Sequence, residues 1–487
     1  MAGKTLLSLG LKARGGRDAR ITGLTADSRE VREGMLFAAL PGTAGHGAGF
    51  AQGAIDKGAG AILTDGPGAA LMGEVSVPVV LAEDPRATLA RAAALWFGAQ
   101  PETVVAVTGT NGTTSVSTFC RQIWLELGLT AVNLGTTGVE GAWTAPLKHT
   151  TPDPVTLQRV LAEAAANGVT HAAMEASSHG LDQRRLDGVI LAAAGFTNLT
   201  QDHLDYHETM EAYFAAKAGL FTRLLPDDGV AVVNLDDPRG YEIARLAGAR
   251  SQEVIGVGKA QGARLRLLGQ RFDATGQELH FEWQDKAHVT RLDLIGGFQA
   301  ANVLLAAGLV IAGGEEPGEV FATLPRLTTV RGRMQHAATR DNGATVFVDY
   351  AHTPDAVATA LKALRPHVMG RITAIVGAGG DRDRGKRPLM GQAAHDSADH
   401  VIVTDDNPRS EDPAAIRAAV LQGAPGAEEI GDRAEAILRG IDGLGPADAL
   451  LICGKGHETG QIVGQDVLPF DDAEQASVAV AALEGRA

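Results

Sequence analysis

The chain of 487 residues carries 43 Lys and Arg against 58 Asp and Glu, a formal net charge of −15, which argues against nonspecific nucleic-acid binding because that rests on cations neutralising phosphates. Its length allows two to four domains, since single cores rarely grow past about 250–300 residues. Aromatic residues make up 4% of the chain while glycine reaches 61 residues, a balance that suits tight α/β packing and backbone-lined ligand sites better than stacking platforms for single strands.

The N-terminus, "MAGKTLLSLGLKARGG", lacks a long apolar stretch followed by a small-residue cleavage site. No window approaches about 20 uninterrupted apolar residues, so no transmembrane helix is expected. The two cysteines, Cys120 and Cys453, stand in apolar surroundings and read as buried thiols in a reducing compartment. These features together lead to the expectation of a cytoplasmic enzyme acting on small molecules, with neither nucleic acid nor membrane as partner.

Taken in chain order, the first region, to about residue 99, alternates short apolar strands with Gly, Pro and Asp, as in a small α/β module. The second opens on "ETVVAVTG", which flows into a glycine-rich turn and the helix "SVSTFCRQIWLELG", with Gly128 placed to cap it. Strand-like runs "THAAME", "LAAAGFTNL", "GVAVVNLD" and "EVIGVG" follow, separated in places by helical stretches such as "PVTLQRVLAEAAANG". From "LTTVRGRMQ" onward the rhythm resumes with "ATVFVDY", "RITAIVG", "HVIVTDD" and "ADALLICG". Strands alternating with helices predict parallel βαβ units, and the expected domains are 1–99, 100–328 and 329–487.

Seven polar clusters each follow an apolar strand: "TGTNGTTS", "EASSHG", "TNLTQDHLDYH", "DYAHTPDA", "GAGGDRDRGKRP", "DDNPRSEDP" and "GKGHE". In open parallel sheets ligands bind beyond the carboxyl ends of strands, so the clusters predict one large site. Gly109, Thr110, Asn111 and Gly112 read either as the loop of an anion nest at a helix N-terminus, with Thr114 or Ser115 offering a hydroxyl to a phosphate-bound Mg²⁺, or as a plain turn from strand to helix. The strict phosphate-loop pattern fails twice, for no Gly stands five positions before Gly112 and position 113 is Thr rather than Lys. Glu175, His203 and Asp205, with Lys217 on a nearby helix, read either as carboxylates and an imidazole for a divalent ion or as helix caps and local hydrogen bonds, with Asp202 and Asp205 as the caps. Arg382, Arg384, Lys386 and Arg387 read as a solvated loop or as forks for carboxylates and phosphates.

In this order the motifs resemble the Mur ligases, ATP-dependent peptide-bond-forming enzymes of peptidoglycan synthesis, from "ADSREVREGMLFAALPG" to "FDDAE". The resemblance implies an α/β fold of three domains: a small UDP-binding domain, a central phosphate-loop ATPase domain with a parallel sheet, and a C-terminal Rossmann-like domain. It implies that Ser28 and Arg29 bind the uridine end of a UDP-muramoyl-dipeptide, and that Thr150, Thr151, Ser177, Gln183 and Arg185 hold its peptide end. It further implies Mg²⁺ held by Thr114, Glu175, His203 and a carbamylated Lys217. ATP is expected at the 109–115 loop, Asn302 and Arg333, with Asp349 and His352 contributed by the last domain. Arg382, Asp406, Asn407, Arg409, Gly454 and Glu458 are implied to bind the incoming amino acid, and "DNPR" is the form associated with meso-diaminopimelate. The implied reaction is attack of that amine on the D-glutamate acyl phosphate, by a monomer.

Against the family pattern stand Thr113, Gln299 and Gln201. For Thr113 three readings follow: a cation such as Lys386 or Lys455 substitutes, turnover is slowed, or nucleotide is bound without turnover.

Overall fold

The apolar runs between residues 103 and 258 lie side by side in one sheet, in a computed structural model that describes residues 3–42, 45–200, 202 and 204–485. The chain divides into two compact units, Met1–Arg266 with Asn302–Thr323, and Leu267–Ala301 with Leu324–Ala487. The regions expected as 1–99 and 100–328 therefore share the first unit, except for residues 267–301 and 324–328.

The first unit begins with a short antiparallel pair, β1 (Lys4–Thr5) and β2 (Arg20–Ile21). Four parallel strands follow, β3 (Leu24–Thr25), β4 (Leu36–Ala38), β5 (Ala61–Thr64) and β6 (Val79–Leu81), in spatial order β3-β4-β5-β6. The helix Pro85–Phe97 starts where Asp84 caps it and ends at Gly98, whose φ of 73° a side chain would resist. Its Leu89, Ala92, Ala93 and Trp96 are buried with Leu36 and Leu63 of the sheet.

The larger sheet contains β7 (Thr103–Thr108), β8 (Ala131–Gly135), β9 (Gly138–Gly141), β10 (His171–Glu175), β11 (Ala193–Phe196), β12 (Val230–Asn234) and β13 (Glu253–Gly258). Their order, β13-β12-β11-β7-β10-β8-β9, is parallel up to β8, with β9 antiparallel at the edge. Both faces of these strands are covered, so they read as continuous apolar runs rather than alternating ones. From β7 the chain first fills one side of it, with β8, β9 and β10, and then the other, with β11, β12 and β13, which makes the carboxyl end of β7 the switch point where a ligand crevice opens. Next comes the helix Thr113–Glu126, which starts two residues earlier than predicted because Gly112 already serves as its cap.

The second unit takes up most of β14 (Leu265–Asp273), with β15 (Gly276–Trp283) and β16 (Lys286–Leu292) paired antiparallel beside it. Leu279, Phe281 and Trp283 are buried while His280 between them is exposed. This period-two pattern escapes a search for continuous apolar runs, and the sequence reading had no strands here. The remaining sheet has the order β17-β18-β22-β19-β20-β21, formed by β17 (Gln335–Thr339), β18 (Thr345–Asp349), β19 (Ile372–Val376), β20 (His400–Val403), β21 (Glu428–Glu429) and β22 (Ala449–Cys453). It is parallel except for β17. A separate hairpin, β23 (Gly460–Val463) and β24 (Asp466–Pro469), follows. Among the described residues no helix is long and apolar enough to cross a membrane.

Arg433 and Asp472, at the starts of the helices Arg433–Asp442 and Asp472–Leu483, face each other with both side chains 0% exposed. Two bonds of 2.7 Å join the guanidinium to the carboxylate, and Arg433 also donates to the Cys453 carbonyl at 3.0 Å and the Asp405 carbonyl at 3.3 Å. Removing one partner of a buried pair leaves an uncompensated charge, at a cost of about 3–5 kcal/mol. Arg433→Met is accordingly expected to lower the unfolding free energy of the second unit by about that amount, and Arg433→Met with Asp472→Leu to recover most of it. Urea denaturation followed by circular dichroism reads both.

Candidate active site

At the switch point, the loop after β7 is fixed by backbone geometry and by the neighbouring strand end. Gly112 adopts φ 88°, and a Cβ there would stand 2.5 Å from Asn302 Oδ1, while one on Gly109 would stand 1.8 Å from Thr197 Oγ1. The Asn111 carbonyl accepts from Thr197 Oγ1 at 2.7 Å and Asn198 Nδ2 at 3.1 Å, and the Asn111 N–H donates to Asn198 Oδ1 at 3.0 Å. Thr110 N–H donates to the Asn198 carbonyl at 2.9 Å. Asn302 is thus placed against the glycine that starts the helix.

Glu175, at the end of β10, is 3% exposed. Its Oε2 accepts from the Thr113 hydroxyl at 2.8 Å and the Thr114 hydroxyl at 2.9 Å, and its Oε1 from the Thr136 N–H at 2.8 Å. All three donors are neutral, and no cation pairs with this carboxylate among the described residues. Ser115 is buried in the helix's first turn.

The Glu175 carbonyl accepts from Thr151 Oγ1 at 2.9 Å, and that hydroxyl accepts from the Ser177 N–H at 3.0 Å. Arg185 donates to the Thr151 carbonyl at 2.5 Å and to Gln183 Oε1 at 2.8 Å, and burial draws its guanidinium below the ordinary arginine value. Thr150 and Thr136 share a hydroxyl contact of 3.1 Å. The structure therefore brings Thr150, Thr151, Ser177, Gln183 and Arg185 into one network with Glu175. Arg184, at φ 60°, lines an adjoining cleft of about 670 Å³ together with Lys12 and Arg91. Ser28 and Arg29 stand outside the network: the Ser28 carbonyl accepts from Lys57 at 2.9 Å, and Arg29 forks Asp27 at 2.9 and 2.6 Å on the surface.

Lys217 is 2% exposed on the helix Met210–Gly219. Its ammonium donates to the Gly109 carbonyl at 2.6 Å and lies 4.7 Å from the centre of the Tyr213 ring, whose hydroxyl meets Thr110 Oγ1 at 3.2 Å. Burial brings it down to about 7, against the pull of the Asp202 charge. Gln201 and His203 lie outside the described residues, and the helix Leu204–His207 follows them. Among the described residues no three His, Cys, Asp or Glu side chains form a metal cluster.

In the second unit, Asp349 ends β18 and accepts from the Met334 N–H at 2.7 Å and the Ala351 N–H at 2.9 Å; burial raises its carboxyl above the usual range. Arg333 lies 5.0 Å from the Tyr350 ring centre, and His352 Nδ1 is 2.8 Å from the Tyr350 carbonyl. Five of the six residues expected for the amino acid converge at the ends of β20 and β22. Asn407 Nδ2 donates to Glu458 Oε2 at 2.9 Å, and a Cβ on Gly454 would stand 2.4 Å from Asp406 Oδ2. Arg409, at φ 51°, is gripped by the hairpin: its N–H donates to the Ile462 carbonyl at 3.0 Å, and its carbonyl accepts from the Gly464 N–H at 2.7 Å. Its guanidinium donates to the Gly380 carbonyl at 2.9 Å.

Arg382, the sixth, is exposed on the loop after β19. Arg384 and Arg387 are engaged by Glu411, at 3.1 and 2.8 Å, so they are not free forks. Lys455 is sealed at 0% exposure and bonded to Asn407 and Glu458, which removes it as a substitute phosphate cation, and Lys386 donates to the His352 carbonyl at 2.9 Å.

Three family models match in succession: "Mur ligase family, catalytic domain" over residues 20–97, "Mur ligase middle domain" over 107–310, and "Mur ligase, glutamate ligase domain" over 332–456. A protein of Caulobacter vibrioides named UDP-N-acetylmuramoyl-L-alanyl-D-glutamate--2,6-diaminopimelate ligase is 52% identical over 475 residues, 96% of each chain. One of the same name from Bradyrhizobium diazoefficiens is 51% identical over 466 residues, 95% of each. A solved structure bearing that name superposes with a TM-score of 0.75 at 34% identity, covering 99% of this chain and 100% of its own.

The chain belongs to the Mur ligase family.

Within this Mur ligase, sequence reasoning missed Thr136, Thr197 and Asn198, which brace the loop and Glu175. Their only signal was position: Thr197 and Asn198 lie just past the end of β11, beside β7, and Thr136 just past the end of β8, beside β10. Gln461, which donates to the Asp406 carbonyl at 2.7 Å, was missed because a short exposed hairpin carries no apolar run.

Lys217 gives the site a measurable pH dependence. An unfolded chain keeps this lysine near 10.5, whereas the folded one holds it at about 7. Between these values the unfolded state binds the extra proton, so the group's penalty is full below about pH 7 and is relieved as pH rises towards 10.5. In CO₂-free buffer without ligands, the thermal midpoint of the unmodified protein is expected to rise from pH 7 to 9 relative to that of Lys217→Met. Parallel profiles would contradict the assignment.

Proposed function

We propose that this Mur ligase joins meso-diaminopimelate to the D-glutamate of UDP-N-acetylmuramoyl-L-alanyl-D-glutamate, using ATP and Mg²⁺, as a cytoplasmic monomer of three domains at 1–99, 100–328 and 329–487. The observation that carries the reading is the polar floor at the ends of β20 and β22. There a carboxamide of the loop after β20 is bonded to a carboxylate of the loop after β22, with a guanidinium fixed two residues from the carboxamide, in a chain half identical to relatives that bear this activity in their names. Diaminopimelate ends in a second carboxylate and a second ammonium. Arg409 meets the former as a bidentate fork, and Glu458 meets the latter; Arg382, Asp406, Asn407 and Gly454 complete the pocket.

The loop of residues 109–115 receives the ATP phosphates through backbone N–H groups at a helix N-terminus, with Asn302, Arg333, Asp349 and His352 as further ATP-side groups. A carboxylate 3% exposed and paired with no cation fits a divalent ion, since buried charges are paired or coordinate metals. Glu175, Thr114, His203 and the carbamate of Lys217 would hold that ion, which supplies charge neutralisation during phosphoryl transfer. A lysine held near neutrality presents an unprotonated amine at pH 7–8, as addition of CO₂ requires. Thr150, Thr151, Ser177, Gln183 and Arg185 hold the dipeptide, and Ser28 and Arg29 the uridine end. The glutamate carboxylate takes the γ-phosphoryl group, ADP leaves, and the diaminopimelate amine displaces phosphate through a tetrahedral intermediate.

Thr113 keeps its hydroxyl on Glu175 and contributes no charge. Hydrogen bonds to charged groups contribute about 1.5–3 kcal/mol, so Thr113→Lys is expected to lower the KM for ATP by about tenfold or more. ADP release with ATP, Mg²⁺, UDP-muramoyl-dipeptide and meso-diaminopimelate measures both proteins; the reading falls should neither release ADP. Arg409→Lys keeps the charge but removes the fork and is expected to raise the KM for diaminopimelate at least tenfold in the same assay, leaving that for ATP unchanged.

A further inference from the structure

The segment Gly454-Lys455-Gly456 leaves β22 with φ values of 115° and 56° at its two glycines. A Cβ on Gly456 would stand 2.6 Å from Tyr350 Cβ, and one on Gly454 2.4 Å from Asp406 Oδ2, so only glycine lets the backbone pass this close on either side of the lysine. That path turns Lys455 inward, to 0% exposure. Its Nζ donates to Asn407 Oδ1 at 3.0 Å and stands 3.4 Å from Glu458 Oε2.

Asn407 Oδ1 also accepts from the Ile462 N–H at 2.9 Å. Two donors on Oδ1 fix which way the carboxamide faces, and Nδ2 is left to donate to Glu458 Oε2 at 2.9 Å. The Glu458 carboxylate therefore has Oε2 held by Asn407 and Lys455. Its Oε1 meets no partner among the described residues, and the side chain is 35% exposed. One oxygen is anchored and the other is presented.

We propose that Lys455 is a positioning residue that presets Glu458 to read the far ammonium of the incoming diamino acid. The proposal rests on the reading of the pocket given above. Lys455 touches no substrate, being fully enclosed; it acts through Asn407 and Glu458. A buried ammonium is tolerated only where it is paired and hydrogen-bonded, and here its partners are two groups of the specificity pocket.

The experiment compares meso-diaminopimelate with 2-aminopimelate, which keeps both carboxylates and one amine but lacks the far ammonium. ADP release is measured for the unmodified protein, Lys455→Met and Lys455→Gln. In Lys455→Met the KM for diaminopimelate is expected to rise tenfold or more, the KM for ATP to stay within twofold, and the preference for diaminopimelate over 2-aminopimelate to fall towards one. Lys455→Gln, which keeps a neutral donor, is expected to restore part of that preference. Should the Met variant fail to fold, Lys455→Gln, Glu458→Gln and their combination carry the test. The combined variant is expected to discriminate no worse than Glu458→Gln alone, because the two residues act as one unit; independent, additive losses would overturn the proposal. An active unmodified protein whose folded Lys455 variants keep the full preference overturns this proposal alone. Absence of ADP release from the unmodified protein with diaminopimelate overturns the pocket reading and this proposal together.

Discussion

A carboxylate taken out of water without a counter-charge constrains everything around it. Glu175 is such a group: it lies at the end of a central strand, and its two oxygens are occupied by two hydroxyls and one backbone N–H. Neutral donors orient a carboxylate without cancelling its charge, so the negative field stays directed at the mouth of the phosphate loop. The residues that supply those donors must start a helix there and end a strand opposite. The strand order around β7 brings the two features within reach of each other. The Thr151–Ser177–Arg185 network then hangs from the same residue's carbonyl, which ties it to the loop after β7 through one backbone position.

The second unit solves a similar problem by the opposite means. Two of its buried cations are matched, Arg433 by Asp472 and Lys455 by Glu458. Arg433 also holds the carbonyls of Cys453 and Asp405, at the ends of the two strands that carry Asp406, Asn407 and Gly454. The ends of β20 and β22 are thus joined by an interlocked set of ions and amides. The loop after β7, by contrast, faces a Glu175 carboxylate that no cation pairs among the described residues.

Much of this arrangement was legible in the sequence. The parallel strands were visible because strands covered on both faces are apolar throughout, and the polar clusters after them marked the ligand edge. The departure at position 113 was equally plain, but its consequence was not. Nothing in "TNGTTS" says that the Thr113 hydroxyl turns to a carboxylate 62 residues away. The antiparallel strands after residue 265 were missed because half of each faces solvent, and the hairpin over residues 460–469 because it is short and mostly polar. Lys455 looked like a cation available to phosphates. Its burial follows from the two glycines beside it and from the loop across from it, which are tertiary facts. The fate of Arg384 and Arg387 was hidden for the same reason, since Glu411 lies a strand and a helix further on.

The grip of β23 on Arg409 bears on how such a pocket diverges. The four-residue stretch 406–409 does not hold its own shape: its Arg409 sits at a backbone angle that L residues seldom adopt, stapled on both sides by main-chain bonds from Ile462 and Gly464. Grafting residues 406–409 alone onto a relative would carry the letters of the motif without the clasp that forms them. The shape of this stretch is a property of two segments more than fifty residues apart, and a lineage that changes one has to change both together.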